Sequence, residues 1–242
     1  MRRQADRASV LEPVSVPSAA DVVVAQLRRA IELGRFLPGD QLPPERELAV
    51  QLGISRVTLR AALAQLERGG LLERAERGSG GGALVVAAGS AVADAGHRAL
   101  REQFEEIYEF RLACESAAAG LAAVRRTEAD LARLEWAIAD LQGELTPGRF
   151  RAADNAFHLA VADAAGNRWL LSAVEDVRAA MFRPLDAIRF ELVVPSAVEH
   201  HRRILAAIAA RDPERARASI GDHIREAQQE LLVALAIGGE PD

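Results

Sequence analysis

The side chains with the most chemical capacity fall into two groups. The first is Ser55-Arg56-Val57-Thr58-Leu59-Arg60, preceded by Arg46. Arg56 and Arg60 stand four apart, so on a helix they share one face, and arginine is the usual two-pronged partner of guanine. Ser55 and Thr58 can donate to phosphate oxygens beside the free amides of a helix N-terminus. Arg46, on a preceding helix, is placed to hold a phosphate. Any one of these arginines alone reads as solvated surface. The second group is Asp154, His158, His201 and His223. Asp154 and His158 are also four apart, and the other two histidines fall on later segments. One carboxylate and three imidazoles brought together would make a site for a divalent metal ion, Zn, Ni, Mn or Fe. No thiolate takes part, which argues against a finger-like structural zinc. On spacing alone, the plainer reading of surface or packed histidines is favoured.

The elements that must position these residues are legible. Apolar residues from Ala19 to Leu33 recur with a helical period, with Ser18 as N-cap and Gly34 at the end. Pro38-Gly39-Asp40 is turn chemistry, leaving Gln41-Leu42 as a short extended piece or loop. A second helix starts at Pro43-Pro44 and buries Leu48, Ala49 and Leu52. Gly53 releases the chain, Ile54 packs between helices, and Ser55 caps a third helix reaching about Arg68. Its candidate inner positions are Val57, Leu59, Leu63 and Leu66. Residues 71–75 and 83–86 flank a glycine-rich tip and read as a hairpin. Helix, turn, helix and hairpin in that order form a winged helix-turn-helix, and the whole set reads as DNA-binding.

From about Leu100 the pattern is helical throughout, with segments over 100–124, 127–142, 147–165, 167–190 (broken near Pro184), 195–211 and 213–236. Thr127, Asn167, Ser196 and Asp212 are candidate caps, and Pro147 and Pro213 suit first turns. The expected fold is mainly α, an N-terminal winged helix-turn-helix with a small β-wing followed by a C-terminal antiparallel all-α bundle. The expected organisation is a disordered arm over 1–17, the DNA-binding domain over 18–87, a linker over 88–97 and the helical effector-binding and dimerisation domain over 98–237.

Composition bounds the function. The 242 residues carry a net charge of -5, with every basic residue an arginine. Residues 1–90 hold twelve arginines against ten acidic residues, net +2, whereas residues 91–242 hold eighteen against twenty-five, net −7. The half with the helix-turn-helix is the less acidic one. No apolar run is long enough for a membrane span, and no apolar core follows the basic first residues as a secretory signal would require. The single cysteine, Cys114, excludes an internal disulfide framework and fits a reducing cytoplasm. Within a helical pattern it reads as a small buried side chain.

The stretch Gly34-Arg35-Phe36-Leu37-Pro38-Gly39-Asp40-Gln41-Leu42-Pro43-Pro44-Glu45-Arg46-Glu47-Leu48-Ala49, with Leu52-Gly53-Ile54-Ser55-Arg56, resembles the winged helix-turn-helix of the GntR family of bacterial transcription regulators. That resemblance covers about residues 18–87. It implies DNA contacts from Arg46, Ser55, Arg56, Thr58 and Arg60, and from Arg77 and Gly78 at the wing. The tip here is longer and richer in glycine than the family's pattern. Asp154-Asn155-Ala156-Phe157-His158, His201-Arg202-Arg203-Ile204 through Ile208, and Asp222-His223 resemble the effector domain of the FadR subgroup, the FCD fold. The resemblance implies a divalent metal on Asp154, His158, His201 and His223, with His200 exposed beside it. It also implies a small carboxylate effector held by Arg111, with Arg178 and Asn167 as further candidates. A structural ion pair with Glu115, one turn on, is the other reading of Arg111.

These readings converge on a homodimeric transcription regulator that binds a double-stranded DNA operator under control of the effector, with no membrane partner. The rival from another class is a metal-dependent hydrolytic enzyme using the Asp/His site. A further alternative is a regulator with a metal-free organic pocket.

Overall fold

The computed structural model describes residues 16–74, 83–86, 97–143, 146–185 and 194–237. The wing tip with Arg77 and Gly78, most of the N-terminal arm, and the linker up to residue 96 lie outside them.

The N-terminal unit is built from α1 (Ala19–Glu32), α2 (Glu45–Leu52), α3 (Arg56–Arg68), β1 (Leu72–Arg74) and β2 (Ala83–Val85). Ser18 opens α1 with a reciprocal cap, its side chain accepting from the Asp21 amide while the Asp21 carboxylate accepts from the Ser18 amide. Val23, Leu27 and Ile31 then repeat every four residues on the buried face. Gly53 closes α2 at φ 65°, a conformation that side chains with a Cβ adopt poorly, and this turn swings the chain into α3. Ser55 caps α3, accepting from the Thr58 amide at 3.1 Å. β1 and β2 pair antiparallel with Leu72 opposite Val85, and Gln41 bridges to Leu84, so the expected extended piece at 41–42 is an added edge of the wing.

One inner position differs from expectation. Val57 is 79% exposed, and Ala62 takes a place in the core beside Leu59, Leu63 and Leu66. At 100° per residue Val57 lies half a circle from Leu66, so it shares the outward face with Arg56 and Arg60.

The second unit, among the described residues, is all helical: α4 (His97–Arg125), α5 (Glu128–Asp140), α6 (Pro147–Ala164), α7 (Arg168–Leu185), α8 (Val194–Ala209) and α9 (Pro213–Ile237). Thr127 and Thr146 cap α5 and α6, Pro147 sits in the first turn of α6, and Asp212 accepts from the Arg215 amide. α7 runs through Pro184 as far as Leu185. α8 begins before Ser196, whose hydroxyl instead donates to Glu230 at 2.8 Å. The long α4 lies against α6, α7, α8 and α9. Fully buried Ala118, Ala119, Ala122 and Ala123 let those helices approach α4 closely. Phe104, Leu134, Phe157, Ile204, Ile208 and Ile220 fill the central core, and a second cluster around Cys114, Ala162 and Val174 joins α4, α6 and α7.

The two units touch. Arg29 of α1 donates to Glu175 at 2.9 Å and also pairs with Asp176, both on α7. Arg35 reaches Glu175 at 3.4 Å. Gly34, at φ 74°, comes so close to α6 that a Cβ on it would stand 2.8 Å from the Ala152 Cα.

Candidate metal centre and nucleic-acid face

α6 presents Asp154 and His158 one turn apart on its inner face, α8 contributes His201 and α9 contributes His223. All four are buried, and one potential ligand atom from each lies within 4.8 Å of every other. The Nε2 atoms of His158 and His223 are 3.2 Å apart, and His201 Nε2 is 3.4 Å from Asp154 Oδ1. A tetrahedral ion with bonds of about 2.05 Å sets its ligand atoms about 3.3 Å apart. His201 stacks on Phe157 with ring centroids 3.9 Å apart, which fixes its plane. Neither ring nitrogen of His201 has a hydrogen-bond partner in the protein although the residue is fully buried. Such orphaned groups are costly in an interior, and a ligated metal satisfies them. The donor set therefore fits a divalent ion.

A shell of buried charge surrounds the four. Arg178 donates its Nε to Asn155 Oδ1 at 2.7 Å and pairs through Nη2 with Asp154. Glu115 of α4 stands between Arg111, whose Nε is 2.7 Å from Oε1, and His158, whose Nδ1 is 2.5 Å from Oε2. Both atoms are buried, so the Glu115 carboxylate faces the Nδ1 side of the His158 ring. A carboxylate on Nδ1 leaves Nε2 as the nitrogen for a metal. The Arg111 guanidinium also lies 5.0 Å over the Tyr108 ring, and its Nη2 has no protein partner.

These surroundings set the protonation states. Burial raises the Asp154 carboxyl, but Arg178 and then the three imidazoles outweigh it and hold it well below the usual carboxylate range. Glu115 is held low likewise, burial being outweighed by Arg111 and then His158. Burial pushes all three histidines down, His201 to about 3 and His223 well below its ordinary value, with Arg178 adding to the effect at His158. At neutral pH the site thus offers neutral imidazoles and an ionised carboxylate, the forms that bind metals.

A pH dependence follows. The unfolded histidines take up protons near pH 6.5, whereas the folded, metal-free ones stay neutral below that. Between those limits the unfolded state binds more protons, so stability is present above pH 6.5 and is lost as pH falls. The slope is about 1.4 kcal/mol per pH unit for each such group. Melting of chelator-treated protein from pH 7.5 to 5 checks this; a flat melting temperature across that range contradicts the burial of neutral imidazoles.

The structure also sorts the other expected residues. Arg111 and Arg178 lie in the shell of the metal group. Asn167 does not: it caps α7, accepting from the Trp169 and Leu170 amides at 3.0 and 3.4 Å. Eleven residues of helix separate it from Arg178, about 16 Å along the axis. Asn155, unremarked in the sequence except as a neighbour of Asp154, is the asparagine in contact with Arg178. Glu115 was visible only as the i+4 partner of Arg111, and its second role depends on α6 packing against α4. His200, expected to be exposed, is buried, with Nε2 3.0 Å from Glu226 on α9. The packing of α8 on α9 covers both adjacent histidines, one facing the ligand group and the other a carboxylate.

On the N-terminal unit, Arg56 and Arg60 project from the first turns of α3 with side chains 60% and 61% exposed. Both approach Glu45 of α2, Arg60 at 2.8 Å and Arg56 at 3.9 Å. Exposed pairs of this kind are weak, so a phosphate or base edge can displace the carboxylate. The Ser55 and Thr58 hydroxyls are 2.8 Å apart at the same helix end, and Arg46 is exposed nearby in sequence on α2.

Comparison with known proteins matches residues 19–81 to the family model for bacterial regulatory proteins of the gntR family, and residues 106–226 to the FCD domain. The Uxu operon transcriptional regulator of Escherichia coli (strain K12) is 30% identical over 221 residues, 87% of this chain and 85% of the relative. The HTH-type transcriptional regulator LutR of Bacillus subtilis (strain 168) is 30% identical over 209 residues, 83% of this chain and 95% of the relative. Among solved structures, a GntR family transcriptional regulator from Pseudomonas syringae pv. tomato str. DC3000 aligns over 99% of both chains, with 25% identity and a TM-score of 0.50. McbR/YncC of E. coli aligns over 93% of this chain and all of its own, with 24% identity and a TM-score of 0.55, a likeness of fold.

Proposed function

The chain belongs to the gntR family of bacterial regulatory proteins, in the FadR subgroup that carries an FCD domain, and we propose that a small carboxylate bound at or near a divalent metal controls its hold on DNA. It is a DNA-binding transcriptional regulator and not an enzyme. Its operator is double-stranded, and it acts as a homodimer, because paired recognition helices read half-sites on one face of the duplex. Among the described residues no helix is long and apolar enough to cross a membrane.

The observation carrying the metal reading is the buried group of Asp154, His158, His201 and His223, with neither nitrogen of His201 hydrogen-bonded. These four residues would hold the ion, which when bound supplies a Lewis-acidic anchor for carboxylate oxygens. The two buried arginines supply the rest of the recognition. Arg111 has an unused Nη2 donor suited to a carboxylate, and Arg178 holds Asp154 ionised and in place. Effector and operator each change the other's affinity by the same factor if they are coupled.

Thermal melting of EDTA-treated protein, alone, with Zn, Ni or Mn, and then with a panel of small carboxylates, tests the reading. A ligand that binds only the folded state raises the melting point by mass action. A rise with metal and a further, acid-specific rise are expected. A metal-independent rise with an acid instead favours an organic pocket.

On the DNA side, Arg46, Ser55, Arg56, Thr58 and Arg60 are the contacts we assign, with Arg77 and Gly78 of the wing proposed from the family pattern. Arg56→Ala is expected to weaken binding to a duplex selected from a random pool by about 10–100-fold and to relax the preference at one base pair. Arg46→Ala, at a phosphate, is expected to weaken all sequences alike and to flatten the salt dependence by about one charge. Anisotropy titrations at several salt concentrations separate the two. Equal losses on selected and random DNA for Arg56→Ala count against its role at a base edge.

A further inference from the structure

We propose that the contact of Arg29 and Arg35 with Glu175 and Asp176 is a latch through which the buried Asp154 group sets the position of the DNA-reading unit. The proposal rests on the metal-controlled reading above.

α7 is the link. At one point along it, fully buried Arg178 grips Asp154 and Asn155. Three residues earlier, Glu175 receives Arg29 and Arg35 from the reading unit, and Asp176 receives Arg29 again. That is a rise of about 4.5 Å along one continuous helix. A shift of Asp154 that drags Arg178 therefore moves Glu175 with it, because a hydrogen-bonded helix has no soft joint over three residues.

A second, independent contact meets the same group from α6. Ala152, two residues before Asp154, packs on Gly34 with no room for a Cβ between them. Gly34 sits in the loop that leaves α1 and carries Arg35. Both helices that hold the Asp154–Arg178 pair thus meet the reading unit within three residues of that pair.

The ionic part of the junction is built to give. Its ion pairs are partly exposed, with side-chain exposures of 33% for Arg29, 62% for Arg35 and 24% for Glu175. Pairs of that kind are individually weak. Beside them runs an open groove of about 530 Å³ lined by Arg35, Arg133, Trp136, Leu171 and Glu175. An apolar, sealed interface would fix the two units, whereas weak pairs beside open space allow two arrangements that a bound ion can bias.

The test uses full-length protein and three single variants, Glu175→Gln, Arg29→Gln and the milder Arg35→Gln. None of these residues belongs to the ligand set or to the recognition helix. Affinity for a duplex selected by the wild-type protein is measured after EDTA treatment and with added Zn or Ni, and metal affinity is measured by chelator competition. Couplings between sites commonly amount to about 5–150-fold. Wild-type DNA affinity is expected to change with metal by a factor in that range, and the factor to fall to within about twofold of unity in Glu175→Gln and Arg29→Gln. Metal affinity is expected to stay within about twofold of wild type, since the ligands are untouched. Hydrogen exchange of residues 19–32 provides a readout without DNA: metal is expected to change its protection in wild type and not in the variants. Variants that keep the full metal response in both readouts overturn the latch and leave metal control standing. A wild-type protein with no metal response in either readout overturns metal control, and the latch with it.

Discussion

Replacing His201 with alanine is expected to weaken metal binding by more than about 100-fold, beyond the 10–100-fold that follows loss of an outer-shell partner. His201 is one of the four candidate ligand side chains, and its ring is held flat against Phe157 with neither nitrogen hydrogen-bonded in the protein. At a metal concentration of about 100 times the wild-type dissociation constant, the wild-type protein gains about 2.7 kcal/mol, and a variant weakened 100-fold gains about 0.4 kcal/mol. For a chain of this size those gains correspond to rises in Tm of about 5–11 °C and about 1–2 °C. The comparison is between metal-induced increments, because the substitution also leaves a cavity that lowers the starting point. An undiminished increment in His201→Ala would falsify the metal reading.

The second large effect concerns stability rather than ligand binding. Glu115→Ala strips the carboxylate from between Arg111 and His158, leaving a buried guanidinium without the Glu115 ion pair. Breaking a buried pair from one side costs about 3–5 kcal/mol, a fall in Tm of about 6–20 °C for a protein of this size. The double variant Arg111→Met with Glu115→Leu removes both charges together, and it is expected to recover most of that loss, since a buried pair is itself only weakly stabilising. Metal affinity should not recover with it, because His158 still lacks the carboxylate on Nδ1. Denaturant melts and chelator competition on the single and double variants check both parts. A double variant as unstable as the single one shows that the cost lies in packing and not in the unpaired charge.

The fold was legible because its signals are local. The Ser18, Ser55 and Thr127 caps, the left-handed turn at Gly53 and the first-turn Pro147 each act within about four residues, and each operates as read. The same locality explains the error at Val57: apolar type argued for burial, whereas the helical phase of Leu59, Leu63 and Leu66 places it outward. The metal group was half legible. Asp154 and His158 share a face by their spacing, but nothing in the spacing of His201 and His223 brings α8 and α9 to that face; family resemblance supplied the expectation. Glu115, Asn155 and the burial of His200 depend on which helix packs on which, information that no single segment carries. The contact of Arg29 with Glu175 spans 146 residues and has no local signature at all.

Cys114 lies next to Glu115 on α4, in the cluster that joins α4, α6 and α7, with its thiol pushed up to about 12 by burial and then by the Glu115 charge. An alkylating reagent needs the thiolate and a path to it, and a buried thiol with a raised pKa offers little of either. Modification is fastest when α4, α6 and α7 part, so its rate reports those openings. Because the chain has one cysteine, the count comes from a single known place. The protein thus carries its own clock for the opening of the C-terminal bundle, read by the mass of one adduct and without any substitution.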